Sequence, residues 1–121
     1  MQMMPGKLTT HVLDVANGVP AQGMQVELWS LENPVPRKVK TLKTNADGRI
    51  DEPLLSGAAL KPGPYELLFF VGDYFASRKT PQATPRFLDR VPVRFGIAEE
   101  AGNYHVPLLV SPWAYSTYKG S

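Results

Sequence analysis

No cysteine occurs in the chain, which excludes a disulfide framework, thiolate metal ligation and thiol nucleophiles together. Charge of one sign is not in excess either. The 13 Lys and Arg stand against 11 Asp and Glu, a formal net charge of +2; this is too mild for a nucleic-acid surface and better suited to a small anionic ligand. No apolar run approaches the length that spans a bilayer, and the first residues, Met1-Gln-Met-Met-Pro-Gly-Lys7, lack the charged start and apolar stretch of a secretory signal. Cytoplasm is the expected location, with neither membrane nor nucleic acid as partner. Only two histidines are present, without partner carboxylates at ligand spacing, so a metal site is disfavoured. A Gly-x-Ser-x-Gly elbow is missing too, which disfavours acyl-enzyme chemistry of that kind.

What remains is the material of one β-rich domain. The 121 residues are 43% hydrophobic, with 12 Pro and 10 Gly acting as punctuation between β-branched and aromatic runs. That length buries an adequate core unaided, so a single domain over 1–121 is expected, with residues 1–6 flexible. Lys7 to Val15 reads as a strand with Thr9, His11, Leu13 and Val15 on one face, because alternate side chains share a side. Asn17-Gly18 and Val19-Pro20 signal a turn. A strand from Met24 to Leu31 follows, then a lysine-rich strand from Val39 to Thr44 of the kind that blunts a sheet edge. Asn45-Ala-Asp-Gly48 is a tight turn that delivers Arg49 at its exit. Tyr65 to Val71 is nearly continuous in apolar residues and predicts a central strand covered on both faces.

Asp73 to Arg78, capped by Asp73, is the one expected helix, and Lys79 to Leu88 a surface loop. Arg90 to Ile97 predicts a strand with Val91, Val93, Phe95 and Ile97 inward. Tyr104 to Val110 sets His105, Pro107 and Leu109 opposite Tyr104, Val106, Leu108 and Val110; after Ser111-Pro112, a second alternating segment sets Trp113, Tyr115 and Thr117 opposite Ala114, Ser116 and Tyr118. Aromatic, strand-forming sequence this close to a chain end predicts that the end is pinned in a sheet, an interface or a site. Seven or eight short strands with one short helix give the fold class: an all-β, antiparallel two-sheet β-sandwich.

Taken singly, each histidine reads as an ordinary edge-strand residue and Arg49 as a solvated charge beside a turn. Their neighbourhoods change this. Leu8-Thr-Thr-His-Val-Leu-Asp14 with Gly18-Val-Pro-Ala21, then Thr44-Asn-Ala-Asp-Gly-Arg49, then Tyr104-His-Val-Pro-Leu-Leu-Val-Ser-Pro-Trp-Ala-Tyr-Ser-Thr-Tyr118, together resemble the transthyretin-like 5-hydroxyisourate hydrolases, in order and over nearly the whole chain. The thyroid-hormone carrier transthyretin shares the C-terminal corner, so that corner alone marks the superfamily. In the carrier, the positions matching His11 and His105 hold a lysine and a threonine, and the tail beyond the position of Tyr118 differs.

The resemblance implies a transthyretin-like sandwich assembled as a homotetramer, with sites in the channel between dimers. It also implies ring-opening hydrolysis of 5-hydroxyisourate to 2-oxo-4-hydroxy-4-carboxy-5-ureidoimidazoline in urate breakdown, without a cofactor. It makes His11, Arg49 and His105 the catalytic positions. Substrate contacts are expected from His11, Arg49, Ser116, Tyr118, Lys119 and Ser121. The family's closing Tyr-Arg-Gly-Ser here reads Tyr118-Lys-Gly-Ser121, which keeps a cation but not the planar fork of a guanidinium. The residue types suit the reaction on their own terms. Hydrolysis of a cyclic amide needs a base for the water, a cation or donor at the oxyanion and an acid for the leaving nitrogen. Either histidine can be the base, and the positive charges of Arg49 and Lys119 should favour a neutral imidazole. A carrier of small aromatic anions and a sandwich module without a site are the alternative readings.

Overall fold

The structure is a computed structural model that describes residues 5–121. Its elements run β1 (Lys7–Asp14), β2 (Val19–Pro20), β3 (Gln25–Ser30), β4 (Arg37–Lys43), β5 (Leu55–Ser56), a single 3-10 turn (Gly57–Ala59), β6 (Gly63–Phe69), α1 (Val71–Ser77), β7 (Val91–Ile97), β8 (Asn103–Val110) and β9 (Tyr115–Ser116). Two sheets pack face to face. One has the order β2-β1-β8-β9, with β5 also pairing with β1, and the other has the order β4-β3-β6-β7. The two-sheet sandwich expected from alternation and turn signals is therefore present, and among the described residues no helix is long and apolar enough to cross a membrane.

Alternation decides what each sheet buries. On β1 the inward residues Leu8, Thr10, Val12 and Asp14 are buried while Thr9, His11 and Leu13 are only partly so. Val26 and Leu28 of β3, Leu67 and Phe69 of β6, and Leu108 and Val110 of β8 meet Leu8 and Val12 in one continuous core. Each such side chain contributes about 1.5–3 kcal/mol relative to exposure. The lysine-rich β4 is indeed an edge strand.

Several expectations need correction. The sandwich is not antiparallel throughout: β1 and β8 pair in parallel, with Thr9 opposite His105 and His11 opposite Pro107. Almost the whole chain lies between them, so no short turn dictates their sense. β6 is central, but within the chain only Tyr65, Leu67 and Phe69 are buried, so one face is covered rather than both. The helix starts earlier than expected, taking in Val71 and Gly72, and its N-cap position is Phe70 without a side-chain cap. Asp73 instead pairs with Arg86 at 2.8 Å. Phe95 does face inward against the core, as expected, but is only half-buried, stacking on Tyr65 with centroids 6.0 Å apart. The last expected strand keeps only Tyr115–Ser116 in a ladder, and the chain then returns as a single bridge from Gly120 to His105. Of the 1–6 segment expected to be flexible, residues 1–4 lie outside the described residues. Gly6 is buried, and its carbonyl accepts from the Gly57 N–H at 3.1 Å.

One polar knot ties the helix to the sheet that carries the histidines. The buried Asp14 carboxylate accepts from the Asn17 backbone N–H at 2.9 Å, from Asn17 Nδ2 at 2.7 Å and from the Tyr74 hydroxyl at 2.7 Å. Burial and the adjoining carboxylate push the Tyr74 hydroxyl's proton affinity well above that of an ordinary tyrosine. Tyr74 is only 3% exposed, so its hydroxyl acts solely as a donor to Asp14. Replacing Tyr74 by Phe removes one hydrogen bond to a buried charge and is expected to destabilise the fold by about 1.5–3 kcal/mol. Urea unfolding should show this as a lower midpoint at unchanged slope.

Candidate active site

The strands and one turn bring three sequence-distant groups to the outer face of the β1–β8 sheet. His11 points outward because it alternates with the buried Thr10 and Val12. Arg49 arrives on the Asn45–Arg49 turn. The Asn45 side-chain oxygen accepts from the backbone N–H groups of Asp47 at 2.9 Å and Arg49 at 3.1 Å, while Gly48 N–H donates to the Asn45 carbonyl at 2.9 Å. Gly48 sits at φ +76°, and a Cβ there would collide with the Val12 carbonyl oxygen, so only glycine lets the turn dock this closely. Docking is sealed by Val12 N–H donating to the Gly48 carbonyl at 2.8 Å, and Arg49 thereby lies opposite His11 as an isolated antiparallel bridge.

His105 comes from the neighbouring strand. Its Nδ1 lies 2.8 Å from Thr9 Oγ1, and its backbone carbonyl accepts from Gly120 N–H at 2.8 Å. Gly120 is buried against the imidazole: a Cβ there would lie 2.5 Å from His105 Cδ2. The tail is therefore pinned, as expected, and it is pinned to a histidine. Thr117 Oγ1 donates to the Pro107 carbonyl at 2.7 Å, and Lys119 Nζ lies 5.3 Å from the Tyr104 ring centroid, a cation–π contact.

Two recesses meet at the His105 ring. One, of about 350 Å³, is lined by Lys7, Thr9, Arg49, Ile50, His105 and Ser121 among others. The other, of about 240 Å³, is lined by Tyr104, His105, Thr117, Tyr118 and Lys119 together with Phe95. A recess of about 540 Å³ along the 80–89 loop contains neither histidine. Of the expected site residues, Arg49, His105 and Ser121 line the first recess and His105, Tyr118 and Lys119 the second, while His11 on β1 lines neither and is placed by its bridge to Arg49. Ser116 is exposed on β9 opposite Leu109 and lines neither recess. Sequence reading missed Thr9, Lys7 and Ile50. Thr9 shares an outward face with His11, which is a visible signal, but its partner on β8 is fixed only by the parallel register.

Tautomers follow from the contacts. A carbonyl oxygen only accepts, so the 2.8 Å contact between His11 Nε2 and the Asp47 carbonyl requires a proton on Nε2, and Nδ1 is the ring nitrogen without a hydrogen-bond partner among the described residues. His105 differs in electrostatics. Burial first, then the Arg49 charge and then His11 hold its proton affinity below that of an ordinary histidine. The expected contribution of Lys119 is replaced by that of His11. Among the described residues no group of three His, Cys, Asp or Glu could hold a metal ion. The arrangement thus offers a neutral imidazole, a guanidinium and a second imidazole beside a cleft, a set that can take a proton from water, polarise a carbonyl and return a proton.

Residues 8–120 match the model of the HIUase/Transthyretin family. The chain is 53% identical over 116 residues to 5-hydroxyisourate hydrolase 2 of Rhizobium meliloti (strain 1021), covering 96% of this chain and 97% of that one. Among solved structures it is similar to the 5-hydroxyisourate hydrolase of Klebsiella pneumoniae, with a TM-score of 0.79 and 34% identity over 96% of this chain and 99% of that one. It is also similar to an (S)-allantoin synthase, with a TM-score of 0.93 and 48% identity; there 98% of this chain corresponds to only 44% of the longer one.

Removing the Arg49 charge should raise the His105 pKa. In Arg49→Met, an NMR titration of the His105 ring is expected to move up toward the ordinary histidine value without reaching it, because burial, the larger cause, remains.

Proposed function

The chain belongs to the HIUase/transthyretin family, and on that premise we propose that it hydrolyses 5-hydroxyisourate, opening the cyclic amide to 2-oxo-4-hydroxy-4-carboxy-5-ureidoimidazoline. The observation that carries the reading is the convergence of His11, Arg49 and His105 on one outer sheet face beside a cleft. Carriage of an aromatic anion would need the cleft and the cation but not two imidazoles beside them.

In the proposed reaction water adds to the ring carbonyl, the ring C–N bond breaks, and a carboxylate and an N–H result. His105 is the base, since its lowered proton affinity keeps a lone pair available near neutral pH. Arg49 orients the substrate and carries the charge that develops on the carbonyl oxygen, with the planar fork suited to an oxygen-rich heterocycle. The proton that His105 takes from water is the one the leaving ring nitrogen receives, and His11, whose Nδ1 has no hydrogen-bond partner among the described residues, relays it by accepting it on Nδ1 and releasing it to that nitrogen. Tyr118, Lys119 and Ser121 wall the cleft and limit water to the reacting molecule. No metal or cofactor takes part.

A homotetramer with sites between dimers belongs to the same proposal. It is supported by the exposure of the wall residues in a single chain, with Tyr118 61% exposed; a second copy over this face would close the cleft. Ser116 would then contact substrate only from such a neighbouring copy. The cytoplasmic location expected from the sequence is also part of this reading.

The direct test is the loss of freshly made 5-hydroxyisourate with and without protein. A rate no faster than spontaneous decay removes the hydrolase. Given activity, His11→Ala and His105→Ala are each expected to lower turnover by about a hundredfold or more with folding intact; near-wild-type rates in both would end histidine catalysis here. Truncation after Thr117 removes the cleft wall but none of the β1–β8 ladder. It should leave assembly on size-exclusion chromatography unchanged while lowering kcat/KM by at least about a hundredfold.

A further inference from the structure

Beside His11, Arg49 and His105 stands a hydroxyl that has no part in the proposed proton transfers. Thr9 and His105 are register partners across the parallel β1–β8 pair, so their side chains stand side by side on the outer face. Thr9 Oγ1 lies 2.8 Å from His105 Nδ1 and has no other hydrogen-bond partner among the described residues. The adjacent Thr10 makes the contrast clear: it is buried, and its hydroxyl donates to the Val106 carbonyl at 2.7 Å, a backbone contact that serves the sheet. Thr9 makes no such structural bond.

The imidazole is confined by two neighbours. Thr9 engages Nδ1, and Gly120 lies so close to the ring that a Cβ there would collide with Cδ2. Among the described residues Nε2 has no hydrogen-bond partner, on a ring that lines both recesses. We propose that Thr9 is a positioning residue of the hydrolysis: its hydroxyl accepts a hydrogen bond from His105 Nδ1–H and so selects the tautomer that keeps the lone pair on Nε2, facing the water. This rests on His105 being the base.

The chemistry favours a hydroxyl in that position. When Nε2 takes the proton from water, Nδ1 keeps its own and continues to donate to the same oxygen, so proton transfer needs no movement of the ring. A carboxylate there would fix the same tautomer but would also stabilise the imidazolium and raise its proton affinity. A neutral acceptor orients the ring without cancelling the effect of Arg49.

Two substitutions and one spectrum test the proposal. Thr9→Val keeps the β-branched shape and removes the hydroxyl; it should lower kcat by about tenfold to a hundredfold with KM little changed. Thr9→Ser retains the oxygen and should restore most of the rate, which a packing role would not predict, because serine lacks the methyl. In wild-type protein, 15N NMR at a pH where His105 is neutral should show Nδ1 protonated and Nε2 bare. In Thr9→Val, protonated Nε2 should appear. A wild-type His105 with protonated Nε2 overturns the proposal, even if Thr9→Val fails to fold. So does wild-type kcat in Thr9→Val, or equal impairment of both variants. The spectrum needs no substrate, so failure of the protein to hydrolyse 5-hydroxyisourate would sink the functional reading while leaving the tautomer result to stand or fall by itself.

Discussion

Everything at the site depends on the parallel pairing of β1 with β8. These strands are remote in sequence, the Thr9–His105 contact joining residues 96 positions apart, yet their ladder runs from Lys7 opposite Asn103 to Asp14 opposite Val110. Closing so long a loop costs entropy before the contact returns anything. The compensation comes from the inward faces, where Leu8, Val12, Leu108 and Val110 enter the common core. A slip of one residue would turn that set outward and carry His105 inward. The register that keeps the core dry is the same register that sets His105 beside Thr9. Packing and chemistry are thus two faces of one ladder.

Two glycines extend this constraint to parts of the chain that do not belong to the strands. Gly48 lets the Asn45–Arg49 turn lie on β1 at backbone contact distance, and Gly120 lets the tail lie against the His105 ring. In both places a side chain would occupy the space a neighbour needs. The charge of Arg49 is consequently held by a turn locked through the Asn45 side chain, with little freedom to drift. Such preorganisation matters because a cation that must be recruited at each turnover contributes less than one already in place.

The electrostatics follow from these placements. His105 is half-buried, near Arg49 and His11, and all three influences disfavour its protonated form. No carboxylate among the described residues hydrogen-bonds to either histidine, since Thr9 and the Asp47 carbonyl take those roles. The buried carboxylate of β1, Asp14, faces the opposite side and is spent on Asn17 and Tyr74. One strand therefore carries a structural acid inward and the His11 imidazole outward, kept apart by the pleat.

Local sequence was enough for the strands, the tight turn before Arg49, the lysine-rich edge and the outward face of His11, because alternation and turn chemistry act over a few residues. It was also enough, through the motifs around His11, Arg49 and His105, for the family and the candidate set. Other features were decided by tertiary structure. The parallel sense of β1 and β8 has no local signal, since the strands share no turn. The helix start at Val71 and the role of Asp73 depend on Arg86 and on a core that takes in Val71. Thr9 is an unremarked strand residue until β8 sets His105 beside it, and Ser116 shares a motif with Tyr118 yet lies away from both recesses. Which nitrogen of each histidine is free could not be read from composition or spacing, because it is set by what stands within about 3 Å of the ring, and only the folded chain determines that.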